Sequence, residues 1–157
     1  MKVLLAIDNS EYSAEAIKEV AKRPWPQKTI VRVISVVELT PPPAAELWYD
    51  ASGSLERAQQ EMTKRASQLT EKTSETLKRK GLKMESAVRK GDARSVIVDE
   101  ARKWSADLIV LGSHGYSGIK RLLLGSVASS VASHAPCSVE IVRRKQTKKR
   151  SVAKRVK

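Results

Sequence analysis

The sequence predicts one α/β domain in which helices cover both faces of a five-stranded parallel sheet with a doubly wound layout. Three observations predict it. Five short apolar runs recur along the chain, and amphipathic stretches of helical period separate most of them. The length of 157 residues suits a single domain with its own core. Strands that alternate with helices form parallel sheets, because each crossover returns the chain to the same edge.

The first third of the chain contains two strands and a helix. Lys2–Asp8 is a continuous apolar run that ends on an acid, which is typical of a buried strand. Polar capping residues follow, and then an apolar face over 14–21 predicts a helix that ends before Pro24. Thr29–Val37 is rich in β-branched residues and predicts the second strand.

A loop, a long helix and a third strand come next. Leu39–Gly53 holds three consecutive prolines and Trp48, and its length makes it a candidate functional loop. Ser54–Lys80 has an apolar face at helical spacing and is followed by Gly81, a residue that commonly ends helices. Leu82–Arg89 is the third predicted strand.

The last third repeats the strand and helix alternation. A helix is predicted from Gly91-Asp92 through Lys103, and a strand at Asp107–Gly112. The last helix is predicted at Leu122–His134 and the fifth strand at Ser138–Val142. In such Rossmann-like sheets, ligands bind beyond the carboxyl ends of the strands. We therefore expect the site near Asp8, at the end of the second strand and after Gly112.

The segment after the fourth strand is glycine-rich. Gly112, Gly115 and Gly118 are followed by Gly125-Ser126 at the start of the last helix. Glycine permits positive φ and lets backbone N–H groups approach an anion closely, and a helix N-terminus presents further N–H groups. Lys120 and Arg121 add positive charge. The alternative is that these glycines only form a turn.

Two common phosphate-binding motifs are not found in the sequence. The glycine-rich segment has no GKS or GKT, as a Walker-type loop would, and the first strand does not lead into GxGxxG. The segment is therefore a different kind of phosphate cradle.

The glycine spacing and three longer segments resemble a known family. The spacing is Gly112-x2-Gly115-x9-Gly125-Ser126, and the segments are KVLLAIDNSEYSAEAI, ADLIVLGSHGYSGIKRLLLGSVASSV and HAPCSVEIVRR. Together they resemble the ATP-binding universal stress proteins over residues 1–143. The resemblance implies a bound adenine nucleotide, namely ATP, with AMP and ADP as alternatives and Mg²⁺ accompanying the nucleotide.

The same resemblance implies a set of nucleotide-binding residues. Asp8 and the segment from Gly112 to Ser126 are also expected from the sheet edge, whereas Val36 rests on the resemblance alone. The full set is Ala6, Ile7, Asp8, Val36, Leu111, Gly112, Ser113, His114, Gly115, Gly125, Ser126 and Val127.

No catalytic or metal-ligating cluster is evident in the sequence. Asp8 either contacts the ligand or caps the first helix. Glu38 and Asp92 either approach the site or are capping or solvated residues. His114 has no metal-ligand neighbours at suitable spacing, and Cys137 suits a small buried residue better than a nucleophile. We expect at most slow, Mg²⁺-dependent ATP hydrolysis and a role as a nucleotide-dependent stress-response switch, so enzymatic activity stays an open question.

Charge is concentrated at the C-terminal end. Residues 143–157 contain nine of the thirty Lys and Arg and no acid, so the net charge of +13 belongs largely to this end. We expect 144–157 to be a disordered basic tail. The alternative function is a nucleic-acid-associated dimer that uses this tail to contact phosphates. Without aromatic residues for base stacking, the tail would have little sequence specificity.

The remaining features concern location and assembly. The sequence has no apolar run long enough to span a membrane, no recognisable secretory signal, and one cysteine, so a cytoplasmic protein is expected. The family resemblance implies a homodimer that pairs through Ser138–Val142.

Overall fold

The computed structural model describes residues 1–38, 53–115 and 124–144. The predicted loop Leu39–Gly53 apart from Gly53, residues 116–123 and the tail beyond Arg144 lie outside these described ranges. Trp48, Gly118, Lys120 and Arg121 are among the residues outside them. The strands are β1 (Lys2–Ala6), β2 (Ile30–Val37), β3 (Lys83–Lys90), β4 (Leu108–Gly112) and β5 (Ser138–Val142). The helices are α1 (Glu11–Lys22), α2 (Ser54–Lys78), α3 (Ala93–Trp104) and α4 (Ser126–His134).

All five strands are parallel and lie in the order β3-β2-β1-β4-β5. The predicted α/β class and parallel five-stranded sheet are therefore confirmed. The chain leaves β1 in one direction towards β2 and β3 and later returns to the other side of β1 as β4 and β5. The carboxyl ends of β1 and β4 consequently lie next to each other at the point where the strand order reverses, which is where ligands bind in doubly wound sheets.

Two buried apolar clusters lie on opposite faces of the sheet. Leu4, Ile34 and Ile109 point to the face covered by α3 and α4, where Ile97 and Val131 pack against them. The other face, which includes Leu5 and Val33, is covered by α1 and α2. The two central strands, β1 and β4, thus bury both of their sides, which explains why their sequences are almost continuously apolar rather than alternating.

The last helix is shorter than its apolar pattern indicates. Gly125 has an extended backbone with φ −61° and ψ 156° and is the N-cap of α4, so the helix begins at Ser126 and not at Leu122. Leu124 is not helical either. Its apolar side chain packs on the core cluster that α3 and α4 cover, which we call the α3 and α4 cluster. Leu124 therefore continues the apolar spacing of the helix in the sequence although it lies outside the helix.

A largely buried ion-pair network fixes α3 on the sheet. Glu100 of α3 is 7% exposed and accepts hydrogen bonds from Arg32 of β2 at 2.8 Å and from Arg89 of β3 at 2.9 Å. The Arg32 guanidinium also lies 4.3 Å from the ring centroid of Trp104. Charged groups this buried are stable only when they are paired, so the network holds α3 in one place relative to β2.

Candidate functional site

A cavity of 440 Å³ opens at the carboxyl ends of β1, β2 and β4. We call it the carboxyl-edge cavity. Its volume lies within the range typical of small-molecule sites. Asp8, His114 and the start of α4 lie together, since Gly115 approaches Asp8 and Gly125 approaches His114, and we call this the polar end. Val36 and Ile97 belong to or pack on one core cluster, and we call their side the apolar end. The cavity is therefore shaped for a ligand that has one charged and one apolar part.

Asp8 follows β1 and is held by the first turn of α1. Its Oδ1 accepts hydrogen bonds from Ser13 Oγ at 2.6 Å and from the Ser10 N–H at 3.0 Å. Ser10 in turn is the N-cap of α1, since its hydroxyl accepts from the Ser13 N–H at 3.1 Å. Asp8 thus supports the start of α1, whose N-cap is Ser10, and it also lines the cavity. Its contact with a ligand stays a prediction.

The glycines of the loop lie close to neighbouring atoms of the protein. A side chain at these positions would crowd those atoms. A Cβ on Gly115 would lie 3.1 Å from Asp8 Oδ2, and a Cβ on Gly125 would lie 3.2 Å from His114 Cα and Ser113 O. Positive φ, the other property for which glycine was expected here, is found in the described chain at Gly53, Gly81 and Gly91 instead. The close neighbours, and not a left-handed backbone, favour glycine at 115 and 125.

The N-terminus of α4 faces the polar end of the cavity. Gly125 has no side chain to cap the helix, and the first helical bond of α4 runs from the Ser129 N–H to Gly125 O at 2.9 Å. The amides at 126–128 precede that bond, and all three residues line the cavity. Unsatisfied N–H groups and the positive end of the helix dipole favour a bound anion at this place.

His114 and Ser113 connect the loop to the strands. Ser113 Oγ lies 3.1 Å from His114 Nδ1, and the His114 ring lies 4.9 Å from the Tyr12 ring, between centroids. Among the described residues, the His114 Nε2 atom is buried and has no hydrogen-bond partner. An unpaired buried nitrogen costs free energy, and a ligand oxygen at the polar end would reduce that cost.

The apolar end is built from β2, α3 and the residues around the start of α4. Ile34 and Val36 lie two residues apart on β2 and therefore face the same side of the sheet. Ala93 and Ile97 lie four residues apart on α3 and share one face of that helix. These side chains also belong to or pack on the α3 and α4 core cluster, so this end of the cavity is an extension of the core.

The structure places eleven of the twelve predicted site residues in the cavity wall. They are Ala6, Ile7, Asp8, Val36, Leu111, Gly112, His114, Gly115, Gly125, Ser126 and Val127. The twelfth, Ser113, is 2% exposed and lies behind the wall. Its N–H donates to Val142 O and its carbonyl accepts from the Gly125 N–H, both at 2.9 Å, so it joins the loop to β5 and α4.

Sequence reasoning missed six lining residues. Two signals could have found several of them: the period of two on β2, which pairs Ile34 with Val36, and the four-residue spacing on α3. The residues missed are Ser13, Ile34, Ala93, Ile97, Leu124 and Ala128.

Glu38 and Asp92 cap α3. Glu38 Oε1 accepts from the Ala93 N–H at 3.2 Å, and Asp92 Oδ1 accepts from the Arg94 N–H at 2.8 Å. The Arg94 side chain and the backbone bonds lower the pKa of Asp92 to about 2. Of the two roles considered for these acids, the structure shows capping, and neither lines the cavity.

Cys137 packs half-buried against the α3 and α4 cluster. Burial raises the pKa of its thiol, which disfavours the reactive thiolate. Within residues 1–38, 53–115 and 124–144, no group of three or more His, Cys, Asp or Glu is arranged to hold a metal ion. In the same ranges, no helix has both the length and the apolar character that crossing a membrane requires.

The fold and the cavity together define the class of protein to which the chain belongs. A cavity at the switch point of a doubly wound parallel sheet, with glycine backbone and an uncapped helix N-terminus at its polar end, is typical of small-molecule-binding α/β domains. The chain belongs to the universal stress protein family, whose family model matches residues 1–143. The resemblance seen in the sequence is thereby confirmed.

Individual relatives agree with this assignment. The chain is 30% identical to universal stress protein YxiE of Bacillus subtilis over 145 residues, which cover 90% of this chain and 98% of that protein. It is 33% identical to universal stress protein MJ0531 of Methanocaldococcus jannaschii over 146 residues, covering 91% and 82% respectively.

Solved structures share the fold. The structure of hypothetical protein MJ0577 matches with a TM-score of 0.80 and 26% identity, covering 93% of this chain and 97% of that one. Two more distant structures match with TM-scores of 0.61 and 0.60. One is a universal stress protein in complex with cAMP, at 22% identity over 91% of this chain and 96% of that one. The other is a family protein from Arabidopsis thaliana with AMP bound, at 17% identity over 93% of each chain.

Proposed function

We propose that this protein binds ATP in the carboxyl-edge cavity and acts as a nucleotide-dependent stress-response switch in the cytoplasm. One observation carries the proposal: the uncapped N-terminus of α4 and the space left by Gly115 and Gly125 lie at the polar end of a cavity whose other end is apolar. Phosphates suit the first end and a nucleobase suits the second.

The orientation of the nucleotide follows from the two ends. The base would pack between Val36 and Ile97, and the phosphates would accept hydrogen bonds from the amides at 126–128 and from His114 Nε2. Asp8 is the one carboxylate among the described lining residues and would face Mg²⁺ carried by the phosphates. The cAMP and AMP complexes of two family structures support an adenine nucleotide, with AMP and ADP as alternatives to ATP.

We infer at most slow hydrolysis. A fast ATPase positions a base or an oriented water against the γ-phosphate. Asp8 and His114 are the groups of this kind in the described wall. Asp8 Oδ1 is already held by the hydrogen bonds of Ser10 and Ser13, and His114 Nε2 would be used by a phosphate oxygen. Binding, and the conformational state that it stabilises, would then be the functional event.

Calorimetric titration of the nucleotide-stripped protein with ATP and Mg²⁺ tests the proposal. We expect saturable binding near micromolar Kd, about −8 kcal/mol, because the site combines anion contacts with apolar burial. GTP, as the matched control, is expected to bind at least about tenfold more weakly. If ATP gives no heat and the purified protein releases no nucleotide on denaturation, the proposal is wrong.

We also propose that the chain forms a homodimer through β5. This strand pairs with β4 on one side and ends the sheet of the described strands, and all of its residues keep some exposure. Such an edge can pair with a second copy. Sedimentation analysis should show a dimer that dissociates when Ile141 is replaced by proline, whereas proline at the opposite edge, at Ser86 of β3, should leave it dimeric. A monomeric native protein would contradict the proposal.

A further inference from the structure

A second cavity lies at the opposite end of the sheet. It has a volume of 360 Å³ and is formed by the connection from α1 to β2, residues 23–29, and by the connection from α2 to β3, residues 80–83. We call it the amino-edge cavity, because it lies at the amino ends of β2 and β3. It shares no residue with the carboxyl-edge cavity.

The wall of the amino-edge cavity is strongly basic. Arg23, Lys28, Lys80 and Lys83 line it, and no Asp or Glu is among its described lining residues. Arg23 is already paired, at 2.7 Å with Glu140, and lies 5.0 Å from the Trp25 ring centroid. The three lysines are exposed, and within the described part of the chain none of them has a carboxylate within ion-pair distance.

Helix ends do not account for all of this charge. A lysine near a helix C-terminus is favourable without any ligand, and Lys80 lies two residues beyond the end of α2. Lys28 and Lys83 lie outside every helix. Moreover, the carbonyls of Glu75, Leu77 and Lys78 at the end of α2 already accept N–H bonds from residues 79–82. The positive charge is therefore left to face the cavity and solvent.

The connection that carries Lys28 is held by local bonds. Thr29 donates both its N–H, at 3.2 Å, and its Oγ1 hydroxyl, at 2.7 Å, to Pro26 O. The Trp25 Nε1 donates to Val20 O at 2.8 Å, and Lys28 itself has a left-handed backbone with φ 64°. Pairing of Ile30 with Lys83 places the second connection beside the first. Little ordering of the backbone is then needed when a ligand binds, which lowers that part of the entropic cost of binding.

We propose that the amino-edge cavity binds a small anion that carries several phosphate groups, with Lys28, Lys80 and Lys83 as its cationic contacts. The concave shape and the volume suit a compact polyphosphate. This anion would bind independently of the nucleotide proposed for the carboxyl-edge cavity, because the two cavities share no residue. It would occupy a second anion site, at the opposite end of the sheet.

Inorganic triphosphate is the probe, and amide chemical shifts of the full-length ¹⁵N-labelled protein are the readout. In Mg²⁺-free buffer at physiological ionic strength, we expect saturable shifts of the Trp25, Lys28 and Thr29 amides and of those at 80–83. Local amides are needed because triphosphate can also contact the basic C-terminal segment and the carboxyl-edge cavity. The same shifts should persist in Gly115→Val, which separates this site from the proposed nucleotide site.

The matched variants remove equal charge in two places. Lys28→Ala/Lys80→Ala/Lys83→Ala should weaken the binding reported by these amides at least about tenfold, since charge-assisted contacts are lost. Lys64→Ala/Lys72→Ala/Lys103→Ala, on exposed helix surfaces, should change it less than about twofold. Shifts that do not saturate, that are confined to other parts of the chain, or that weaken equally in both variants would overturn the proposal.

Discussion

ATP binding is expected to fall at least about 100-fold when Gly115 or Gly125 is replaced by valine. A side chain at 115 starts 3.1 Å from Asp8 Oδ2 and one at 125 starts 3.2 Å from the loop backbone, so both occupy the polar end of the cavity. The loss corresponds to about 2.7 kcal/mol of binding free energy. Calorimetric titration with ATP and Mg²⁺ measures it.

Folding and binding must be separated in this test. Gly115 is exposed and its close contact is a side chain, so Gly115→Val should keep the native circular dichroism spectrum and cooperative melting. Gly81→Val is the control: its φ of +86° makes valine costly to stability, but it lies far from the carboxyl-edge cavity. It should melt lower and still bind ATP. Unchanged affinity in both Gly115→Val and Gly125→Val would refute the site assignment.

Gly112→Ala is expected to lower the free energy of unfolding by about 2–3 kcal/mol. A Cβ at this position would lie 2.7 Å from the carbonyl carbon of Tyr12 and 2.9 Å from its oxygen. Those atoms are backbone of the first turn of α1, so the helix must move away from β4 to make room. Overpacking of this kind typically costs 1–3 kcal/mol. Urea unfolding followed by circular dichroism measures the change.

Gly81→Ala provides the comparison for that experiment. No atom of the described residues lies within 4 Å of a Cβ at Gly81, so alanine there meets only the strain of a left-handed backbone, about 1 kcal/mol. The prediction for Gly112 is wrong if its alanine variant is no less stable than that of Gly81. Because Gly112 also lines the cavity, a shift of α1 should weaken ATP binding as well.

Most of the fold could be predicted because each buried strand corresponds to a short run of apolar or β-branched residues in the sequence. β5 was predicted with its observed bounds, and the ends of the other strands differ from the predicted ones by at most two residues. The start of α4 predicted at Leu122 from the apolar pattern was wrong, whereas the start expected at Gly125-Ser126 from the glycine segment agrees with the structure. Leu124 packs on the core without being helical, and apolar spacing alone cannot distinguish these cases. Apart from Gly53, the predicted loop Leu39–Gly53 lies outside the described residues, so it stays a prediction.

The candidate site could be predicted where its residues are consecutive in sequence or lie at strand ends. Asp8 and Gly115 follow strands directly, so parallel topology brings them to one edge. Ile34, Ala93 and Ile97 are ordinary core residues in their local pattern, and only the packing of α3 over β2 turns them towards a cavity. The lysines of the amino-edge cavity were missed for a similar reason. Lys28 and Lys80 are 52 positions apart in the chain and are brought together by the pairing of β2 with β3.

The apolar end of the carboxyl-edge cavity is made of the same side chains as the α3 and α4 core cluster. A ligand that fills it would therefore complete the core and not merely cover it. By mass action, a ligand that binds only the folded state at 100 times its Kd adds about 2.7 kcal/mol to the free energy of unfolding. The proposed nucleotide would thus set how long the protein resists unfolding and proteolysis, which would link its persistence in the cell to the supply of that nucleotide.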